Sequence, residues 1–251
     1  MRESLVMPER KAGGIKETVK TLVYAVAIAL VVRTFAFEPF NIPSGSMKPT
    51  LLVGDYLFVS KFAYGYSRYS LPLGLPLFSG RVFDRLPERG DVVVFKLPSD
   101  NRTDYIKRVV GLPGDRIQVR DGVLQINGEA VRLEPAGQFE EEFDGRTVPV
   151  PMYEEILPGG ARHRIMDLTS SGSLDNTGVF PVPAGHIFAM GDNRDNSTDS
   201  RFLSQVGYVP FENIIGRAQM IFFSIAEGEQ AWMVWRWPFA VRWNRLFSIV
   251  R

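Results

Sequence analysis

The chain has 251 residues, of which 45% are hydrophobic, so it is long enough and apolar enough to bury one good-sized globular core, with or without a smaller satellite. Its 29 basic and 28 acidic residues nearly cancel, which gives no sign of a nucleic-acid partner recruited by overall charge. The absence of cysteine excludes disulfide bonds, thiolate zinc sites and a cysteine nucleophile.

An uncharged apolar run, residues 21–32, follows a polar segment rich in lysine and arginine. This run is shorter than the ~20 residues that a membrane span needs, but flanking basic side chains can snorkel and residues 34–37 prolong it. We therefore predict a cytoplasmic segment at 1–17 and a transmembrane helix at 18–37. A cleaved secretory signal is the alternative, although the bulky phenylalanines after the run make a poor cleavage site. The basic excess before the run predicts a cytoplasmic amino terminus and an exported remainder.

From residue 38 onward, short runs rich in β-branched and aromatic residues alternate with glycine and proline, which is typical of strands bounded by turns. The pairs Asp121-Gly122 and Asn127-Gly128 indicate hairpin turns. The predicted strands are Asp55 to Ser60, Asp91 to Phe95, Tyr105 to Val110, Arg116 to Val119, Val123 to Asn127 and Ile187 to Met190. The exported part is therefore predicted to be mainly β, with a core formed by 38–128 and 181–225.

Three other stretches depart from this pattern. Residues 63–88 are apolar but broken by prolines, which predicts an exposed extension or a membrane-facing loop. Residues 129–180 are polar and acidic, and we expect a second, smaller and less regular lobe. Residues 226–251 hold all four tryptophans among arginines, so they either contact the membrane interface or close the core, and both can be true.

A histidine is an unpromising general base in this chain. The sequence has only two, and neither lies in a recognisable Ser-His-Asp motif. His163 stands between two arginines, which predicts a solvated loop, and His186 is expected to enter a strand. If the chain is a hydrolase, its base is therefore expected to be another residue type.

The segment from Glu38 to Thr50 contains two hydroxyls, Ser44 and Ser46, separated by a glycine and flanked by prolines. Restricted backbone on both sides of a sharp turn can present a serine at a strand end. Taken alone, Pro-Ser-Gly-Ser also describes an ordinary loop. Such a serine becomes a nucleophile only if a nearby group takes its proton, and a neutral lysine is an established alternative to histidine.

Lys107 is the best candidate for that base. It lies inside an apolar β run, and Tyr105 and Val109 share its face of the strand. If that face is buried, desolvation must lower the lysine pKa from ~10.4 towards ~8. An exposed edge lysine is the alternative, because most lysines are solvated.

Residues 191–201 form a loop dense in Asp, Asn, Arg and Ser after a predicted strand. This composition suggests a turn stabilised by its own hydrogen bonds. Its carboxylates could alternatively bind calcium, but the interleaved Arg194 and Arg201 favour salt bridges over a cation.

Four segments together resemble the ordered sequence boxes of bacterial type I signal peptidases (leader peptidases). They are Pro43-Ser-Gly-Ser-Met47, Arg89-Gly-Asp-Val-Val-Val-Phe95, Tyr105-Ile-Lys-Arg108 with Gly111-Leu-Pro-Gly-Asp115, and Gly191-Asp-Asn-Arg-Asp-Asn-Ser197. Their order, spacing and upstream apolar run agree with that family, and the likeness extends over residues 20 to 225. The implied fold is mainly β: an antiparallel β-sheet catalytic domain of the signal-peptidase and self-cleaving-repressor type, preceded by one N-terminal transmembrane helix.

The resemblance also implies roles for individual residues. Ser46 would attack the scissile carbonyl and Lys107 would take its proton. Ser44 and the N–H of Ser46 would hold the oxyanion, and Ser197 would hydrogen-bond the lysine and orient it. The supporting ion pair of the loop would be Asp199 and Arg201. The substrate pockets would be lined by Phe40, Ile42, Met47, Leu51, Tyr105 and Ile106.

The implied substrate is the signal peptide of an exported preprotein, cut after small residues at −1 and −3 and bound as an added strand. The lipid bilayer is the second expected partner, and no cofactor, metal or nucleic acid is expected. The implied location is the bacterial cytoplasmic (inner) membrane, crossed once, with the catalytic domain on the extracytoplasmic side. A catalytically idle, membrane-tethered binding protein is the alternative from another class. A self-cleaving repressor would need a DNA-binding domain in place of the apolar run.

Overall fold

The computed structural model describes residues 14–71, 74, 78–143, 145–169 and 172–251 of the chain. Most of the cytoplasmic segment predicted at 1–17 lies outside the described residues, and so does much of the apolar centre of the 63–88 extension. The remaining predictions fall mainly on described residues.

The chain's apolar run forms one helix, α1, which spans Ile15–Phe35 and buries none of its residues. At 1.5 Å per residue its 21 residues measure about 31 Å, which matches the hydrocarbon thickness of a bilayer. The predicted end at residue 37 is wrong, because Phe37 already pairs with Ser60 in the sheet. Only Ala36 separates the helix from the first strand.

The chain that follows α1 is built mainly of strands, as the sequence predicts. These are β1 (Phe37–Asn41), β2 (Asp55–Ser60), β3 (Tyr66–Ser67), β4 (Arg81–Val82), β5 (Val92–Lys96), β6 (Asp104–Gly111), β7 (Arg116–Arg120), β8 (Val123–Ile126), β9 (Glu129–Ala130), β10 (Arg132–Phe143), β11 (Arg146–Ile156), β12 (Arg162–Met166), β13 (Phe180–Pro181), β14 (His186–Met190), β15 (Val209–Pro210), β16 (Ile214–Ser224) and β17 (Ser248–Ile249). A short helix, α2, covers Trp237–Ala240. The six predicted strands are all confirmed, and the turns at Asp121-Gly122 and Asn127-Gly128 have the positive φ angles of tight hairpins.

The strands are grouped in four sheets among the described residues. The central sheet has the order β1-β2-β16-β5-β6-β14-β15, with β17 added to β16, and every pair in it is antiparallel. A four-stranded sheet, β13-β7-β8-β9, and a three-stranded sheet, β10-β11-β12, stand beside it. The two-residue strands β3 and β4 form a hairpin at the base of the 63–88 extension.

The centre of the main sheet is buried on both faces. On β5, Val92 and Val94 belong to one apolar cluster, and Val93 and Phe95 belong to the opposite one. A strand with both faces covered is expected to be apolar at consecutive positions, as in Val92-Val-Val-Phe95. This burial makes the middle of the sheet a rigid platform for the neighbouring strand β6.

The expectation that 129–180 forms an irregular lobe is wrong. Strands β10 and β11 make a long antiparallel hairpin, to which β12 adds a third strand. Only two of the eleven residues of β11 are buried, so its sequence lacks the alternation of a half-buried strand. Residue 144, which follows β10 in the sequence, lies outside the described residues.

The tail at 226–251 fits both interpretations drawn from its composition. Val241 and Val250 are buried against the sheet, whereas Trp232, Trp235 and Trp243 are each more than half exposed. The tail therefore closes part of the core with small apolar side chains and leaves large aromatic rings on the surface.

Candidate active site

Ser46 lies in a 3-10 turn, Gly45–Met47, that follows β1. The neighbouring Met47 is completely buried and anchors the turn in the core. On the other side, Asn193 donates twice to this turn: its backbone N–H to the Ser46 carbonyl at 3.1 Å and its side-chain amide to the Gly45 carbonyl at 3.1 Å. The serine is thus held from the core and from the 191–201 loop.

Lys107 lies on β6 opposite Val93 of β5, and only 3% of it is exposed. Its Nζ is 2.7 Å from Ser46 Oγ and 2.8 Å from the carbonyl oxygen of Ile106. Burial lowers the pKa of Lys107 from 10.5 to about 8, although the negative charges of Asp199 and Asp192 oppose that shift. The structure therefore brings the predicted nucleophile and base together.

A lysine with a pKa near 8 can act as a base near neutral pH. At pH 7 about one molecule in ten carries it neutral, against fewer than one in a thousand for a solvated lysine. Its neutral nitrogen is within hydrogen-bonding distance of the serine hydroxyl, which is the geometry that proton removal requires.

The two remaining serines of the predicted site occupy different environments. Ser44 is exposed and extended at the start of the turn, and its side chain makes no capping hydrogen bond. Ser197 is buried, and its Oγ has no hydrogen-bond partner among the described residues. The predicted bond from Ser197 to Lys107 is therefore not formed in this structure.

Ser197 nevertheless lies against the turn that contains Ser46. A Cβ atom built on Gly191 would come within 2.2 Å of Ser197 Oγ and 2.5 Å of the Ser46 carbonyl oxygen. Gly191 is thus the point where the loop and the serine turn meet, and no side chain fits between them.

The six residues predicted to line the substrate pockets divide into two groups. Ile42, Met47 and Leu51 are at most 3% exposed and belong to the core cluster beneath the turn. Phe40 and Ile106 are half-buried and pack on that cluster, and Tyr105 is half-buried on another part of the core. The half-buried residues are the ones open to a ligand, and the pocket role of all six stays a prediction.

The 191–201 loop is held by buried ion pairs, as its two arginines predict. Arg201 donates to both carboxylate oxygens of Asp199, at 2.9 and 2.8 Å, and Asp199 in turn accepts the Gly191 N–H at 3.0 Å. Burial alone would raise the pKa of Asp199, but the pair with Arg201 outweighs it and keeps the pKa below its ordinary value. Asp199 is therefore charged at neutral pH.

A second buried network lies beside this one, and sequence analysis missed most of it. Arg108 donates to both oxygens of Asp192, at 2.8 and 2.6 Å. Arg194 donates to both oxygens of Glu155, at 2.9 and 2.5 Å. No local motif predicts either pair, because Arg108 and Asp192 are 84 residues apart in sequence and Glu155 and Arg194 are 39 apart.

His163 belongs to this network, so the prediction of a solvated loop is wrong. It is 5% exposed, lies on β12 opposite Glu155, and places Nε2 3.2 Å from a carboxylate oxygen of that residue. Strand pairing turns its side chain inward while the flanking arginines point outward, as alternation in a strand requires. Burial, reinforced by the charge of Arg108, lowers the pKa of His163 and keeps the ring neutral at pH 7.

One group of carboxylates has the ligand type of a cation site. Asp167, Asp175 and Asp195 come within 4.8 Å of one another, and burial together with its two neighbours raises the pKa of Asp167 to about 6. Their oxygens already accept backbone N–H groups: Asp195 from Leu168 and Thr169, and Asp175 from Gly172. These bonds explain the cluster as a brace between loops, and the absence of a metal stays a prediction.

A serine hydroxyl held against a buried lysine on a β scaffold is the arrangement of a serine-lysine hydrolase. The family model described as signal peptidase, peptidase S26 matches residues 15–223. The signal peptidase I of Rickettsia typhi is 46% identical over 218 residues, which cover 84% of this chain and 81% of that protein. The signal peptidase I of Rickettsia prowazekii is 45% identical over 218 residues, with the same shares of both chains.

The chain belongs to the signal peptidase, peptidase S26 family and is a serine endopeptidase. A crystal structure of a signal peptidase I from Enterococcus faecalis also matches, at 26% identity and a TM-score of 0.31, over 53% of this chain and 97% of that one. The family resemblance seen in the four sequence boxes is confirmed.

Proposed function

We propose that this protein removes N-terminal signal peptides from exported preproteins, with Ser46 as nucleophile and Lys107 as general base. The observation that carries the proposal is the 2.7 Å separation of Lys107 Nζ and Ser46 Oγ in a site where burial lowers the lysine pKa to about 8. The names of the relatives supply the substrate class.

In the first half-reaction, neutral Lys107 takes the Ser46 proton as Oγ bonds to the scissile carbonyl carbon. The negative oxygen that forms would be held by the Ser44 hydroxyl and the Ser46 N–H, and one such donor typically contributes ~3 kcal/mol to the transition state. When the C–N bond breaks, the lysine returns its proton to the leaving amine. The signal peptide then remains as an ester on Ser46.

In the second half-reaction, Lys107 deprotonates a water molecule that attacks this ester. The carbon–oxygen bond to Ser46 breaks, the signal peptide leaves with a new carboxyl group, and the serine recovers its proton. While it is charged, Lys107 has three hydrogen-bond donors, two of which reach Ser46 and the Ile106 carbonyl. The buried Ser197 hydroxyl would accept the third and so orient the lysine.

The substrate would approach along the membrane side of the domain. A cavity of about 510 Å³ is lined by Leu30 of α1 and by Phe40 of β1, the strand that leads into the Ser46 turn. A signal peptide bound there as an extended strand would place its small −1 and −3 residues in shallow pockets beside Phe40 and Ile106.

The anchoring helix supports a matching topology. With residues 1–17 in the cytoplasm and α1 in the bacterial inner membrane, the catalytic core at 38–128 and 181–225 stands on the extracytoplasmic side. The 129–180 lobe and the 226–251 tail lie on that side too. Tethering raises the effective concentration of the enzyme where preproteins emerge.

The test is cleavage of a preprotein with an Ala-X-Ala site in detergent, with amino-terminal sequencing of the product. The wild type should cut after the second alanine, and Ser46→Ala and Lys107→Ala should be inactive although folded by circular dichroism. Arg120→Ala, which removes an exposed basic side chain from β7, away from the dyad and the cavity, should cut at the wild-type rate. If a Ser46→Ala enzyme still cuts, the assignment is wrong, and a folded wild type without activity would favour an idle binding protein.

A further inference from the structure

The β10-β11-β12 lobe sends two side chains into the buried network behind the catalytic loop. Glu155 of β11 has a fully buried carboxylate that pairs with Arg194, and His163 of β12 lies between Glu155 and Asp192. Its Nε2 is 3.2 Å from Glu155 and 3.9 Å from Asp192. A buried ion pair between Glu155 and Arg194 therefore joins the lobe to the 191–201 loop.

The backbone makes the same connection. Met166, at the end of β12, donates its N–H to the Asp192 carbonyl at 2.9 Å and accepts the Arg194 N–H at 2.9 Å. The residue between these two bonds is Asn193, whose N–H and side-chain amide hold the Ser46 turn. Asn193 is thus the single residue that links the end of β12 to the turn that contains Ser46.

Arg194 is the centre of this arrangement. Its side chain is committed to Glu155, and its carbonyl accepts Arg201 at 2.5 Å. Arg201 in turn fixes Asp199, which accepts the Gly191 N–H beside Ser197. Displacing Arg194 would loosen each of these contacts in sequence.

We propose that Glu155 is a positioning residue for the catalytic dyad, so that the 129–180 lobe is part of the catalytic machinery rather than an appendage. Through Arg194 it sets the place of the 191–201 loop. Asn193 of this loop holds the Ser46 turn, and the charges of Asp192 and Asp199 act on Lys107. The inference rests on the proposed function of the Ser46–Lys107 pair.

Glu155→Gln would leave the buried charge of Arg194 without its partner. Removing one member of a buried ion pair leaves the other uncompensated, and the protein responds by admitting water or by moving the charge outward. Water that reaches Lys107 would weaken the desolvation that lowers its pKa, while Asp192 and Asp199 continue to favour the charged lysine. The base would then become neutral only at higher pH.

The experiment compares Glu155→Gln with Glu154→Gln in the full-length enzyme in detergent, using an Ala-X-Ala preprotein. Glu154 is the neighbouring residue on β11 and pairs with Arg162 on the partly exposed side of the sheet. For Glu155→Gln we expect kcat to fall at least about tenfold with KM changed less than about twofold, because the dyad and not the pocket is disturbed. The acidic limb of its kcat–pH profile should move upward by about half a pH unit or more. Glu154→Gln should match the wild type in kcat, in KM and in the position of the acidic limb.

The pH profile separates positioning from misfolding, since a smaller folded fraction lowers the whole profile without moving its limb. The double variant Glu155→Gln/Arg194→Gln leaves no unpaired buried charge, so it should be more stable than the single variant. It still lacks the link between the lobe and the 191–201 loop, so it should keep the displaced limb. A wild-type limb in either variant overturns the inference and leaves the Ser46–Lys107 assignment intact. Cleavage by Ser46→Ala would instead overturn that assignment and the inference with it.

Discussion

The depressed pKa of Lys107 has a cost in stability that can be measured without any substrate. The unfolded chain holds the lysine proton up to its ordinary pKa of 10.5, whereas the folded protein releases it at about 8. The folded state therefore binds this proton less tightly, and folding is penalised wherever the lysine is charged in the unfolded chain. Replacing Lys107 by methionine, which has a similar length and no charge, removes that penalty.

The size of the effect follows from the two pKa values. A shift from 10.5 to about 8 corresponds to about 3 kcal/mol at ~1.4 kcal/mol per unit. The penalty is fully present below about pH 8, shrinks between pH 8 and 10.5, and is absent above 10.5. The stability of Lys107→Met relative to the wild type should therefore fall by roughly 2 to 3 kcal/mol between about pH 7 and pH 10. The hydrogen bonds that methionine cannot make with Ser46 and Ile106 add a loss that does not depend on pH.

Urea unfolding in a mild detergent, followed by the fluorescence of the four tryptophans, measures this difference. Lys96→Met is the matched control, because it removes a lysine from the adjacent strand without touching the dyad. Comparing variants at each pH cancels the titration of all other groups. A relative stability of Lys107→Met that stays constant from pH 7 to pH 10 would refute the reasoning that burial depresses the lysine pKa.

Three further predictions concern the same site. The kcat of the wild type should rise about tenfold per pH unit below pH 8 and level off above it, since Lys107 must be neutral to act; a rate that is flat from pH 6 to pH 9 would speak against this base. Gly191→Ala should abolish cleavage by pushing Ser197 and the serine turn apart, whereas Gly178→Ala, at an exposed glycine with open space around it, should retain the wild-type rate in the same assay. Asp199→Ala should lower the free energy of unfolding by about 3–5 kcal/mol because it leaves Arg201 buried and unpaired, and Asp199→Ala/Arg201→Met should recover most of that loss in urea unfolding.

Much of the fold could be predicted because its strands are locally marked. The strand β2 begins and ends where the sequence predicts, and the hairpin β7–β8 turns at the predicted Asp-Gly pair. The long hairpin β10–β11 could not be recognised in this way. Few of its side chains are buried, so neither alternation nor a continuous apolar run distinguishes its strands from a polar loop.

The residues of the candidate site also differ in whether the sequence around them predicts their place. Lys107 stands out as a lysine inside an apolar strand. Ser46 lies in a segment that alone could be an ordinary loop, and it is singled out by the resemblance of the four sequence boxes. Glu155 and His163 carry no such mark, because their burial depends on β11 and β12 folding back onto a loop almost 40 residues away. A histidine between two arginines looks solvated until strand pairing turns it to the inside.

The junction between α1 and β1 limits the distance between the end of the helix and Ser46. The helix ends at Phe35, Ala36 accepts a hydrogen bond from Lys61 of the domain, and the sheet begins at Phe37, so no free linker separates anchor and domain. Ser46 follows the helix by eleven residues, which at ~3.3 Å each span at most about 36 Å. If α1 lies in a bilayer and Ser46 is the nucleophile, as proposed, the height of Ser46 above the membrane is set by β1 and the turn that follows it. The proposed preprotein substrate would then have to place its cleavage site at that height, so the length of chain between its apolar segment and its cleavage site would help to select it.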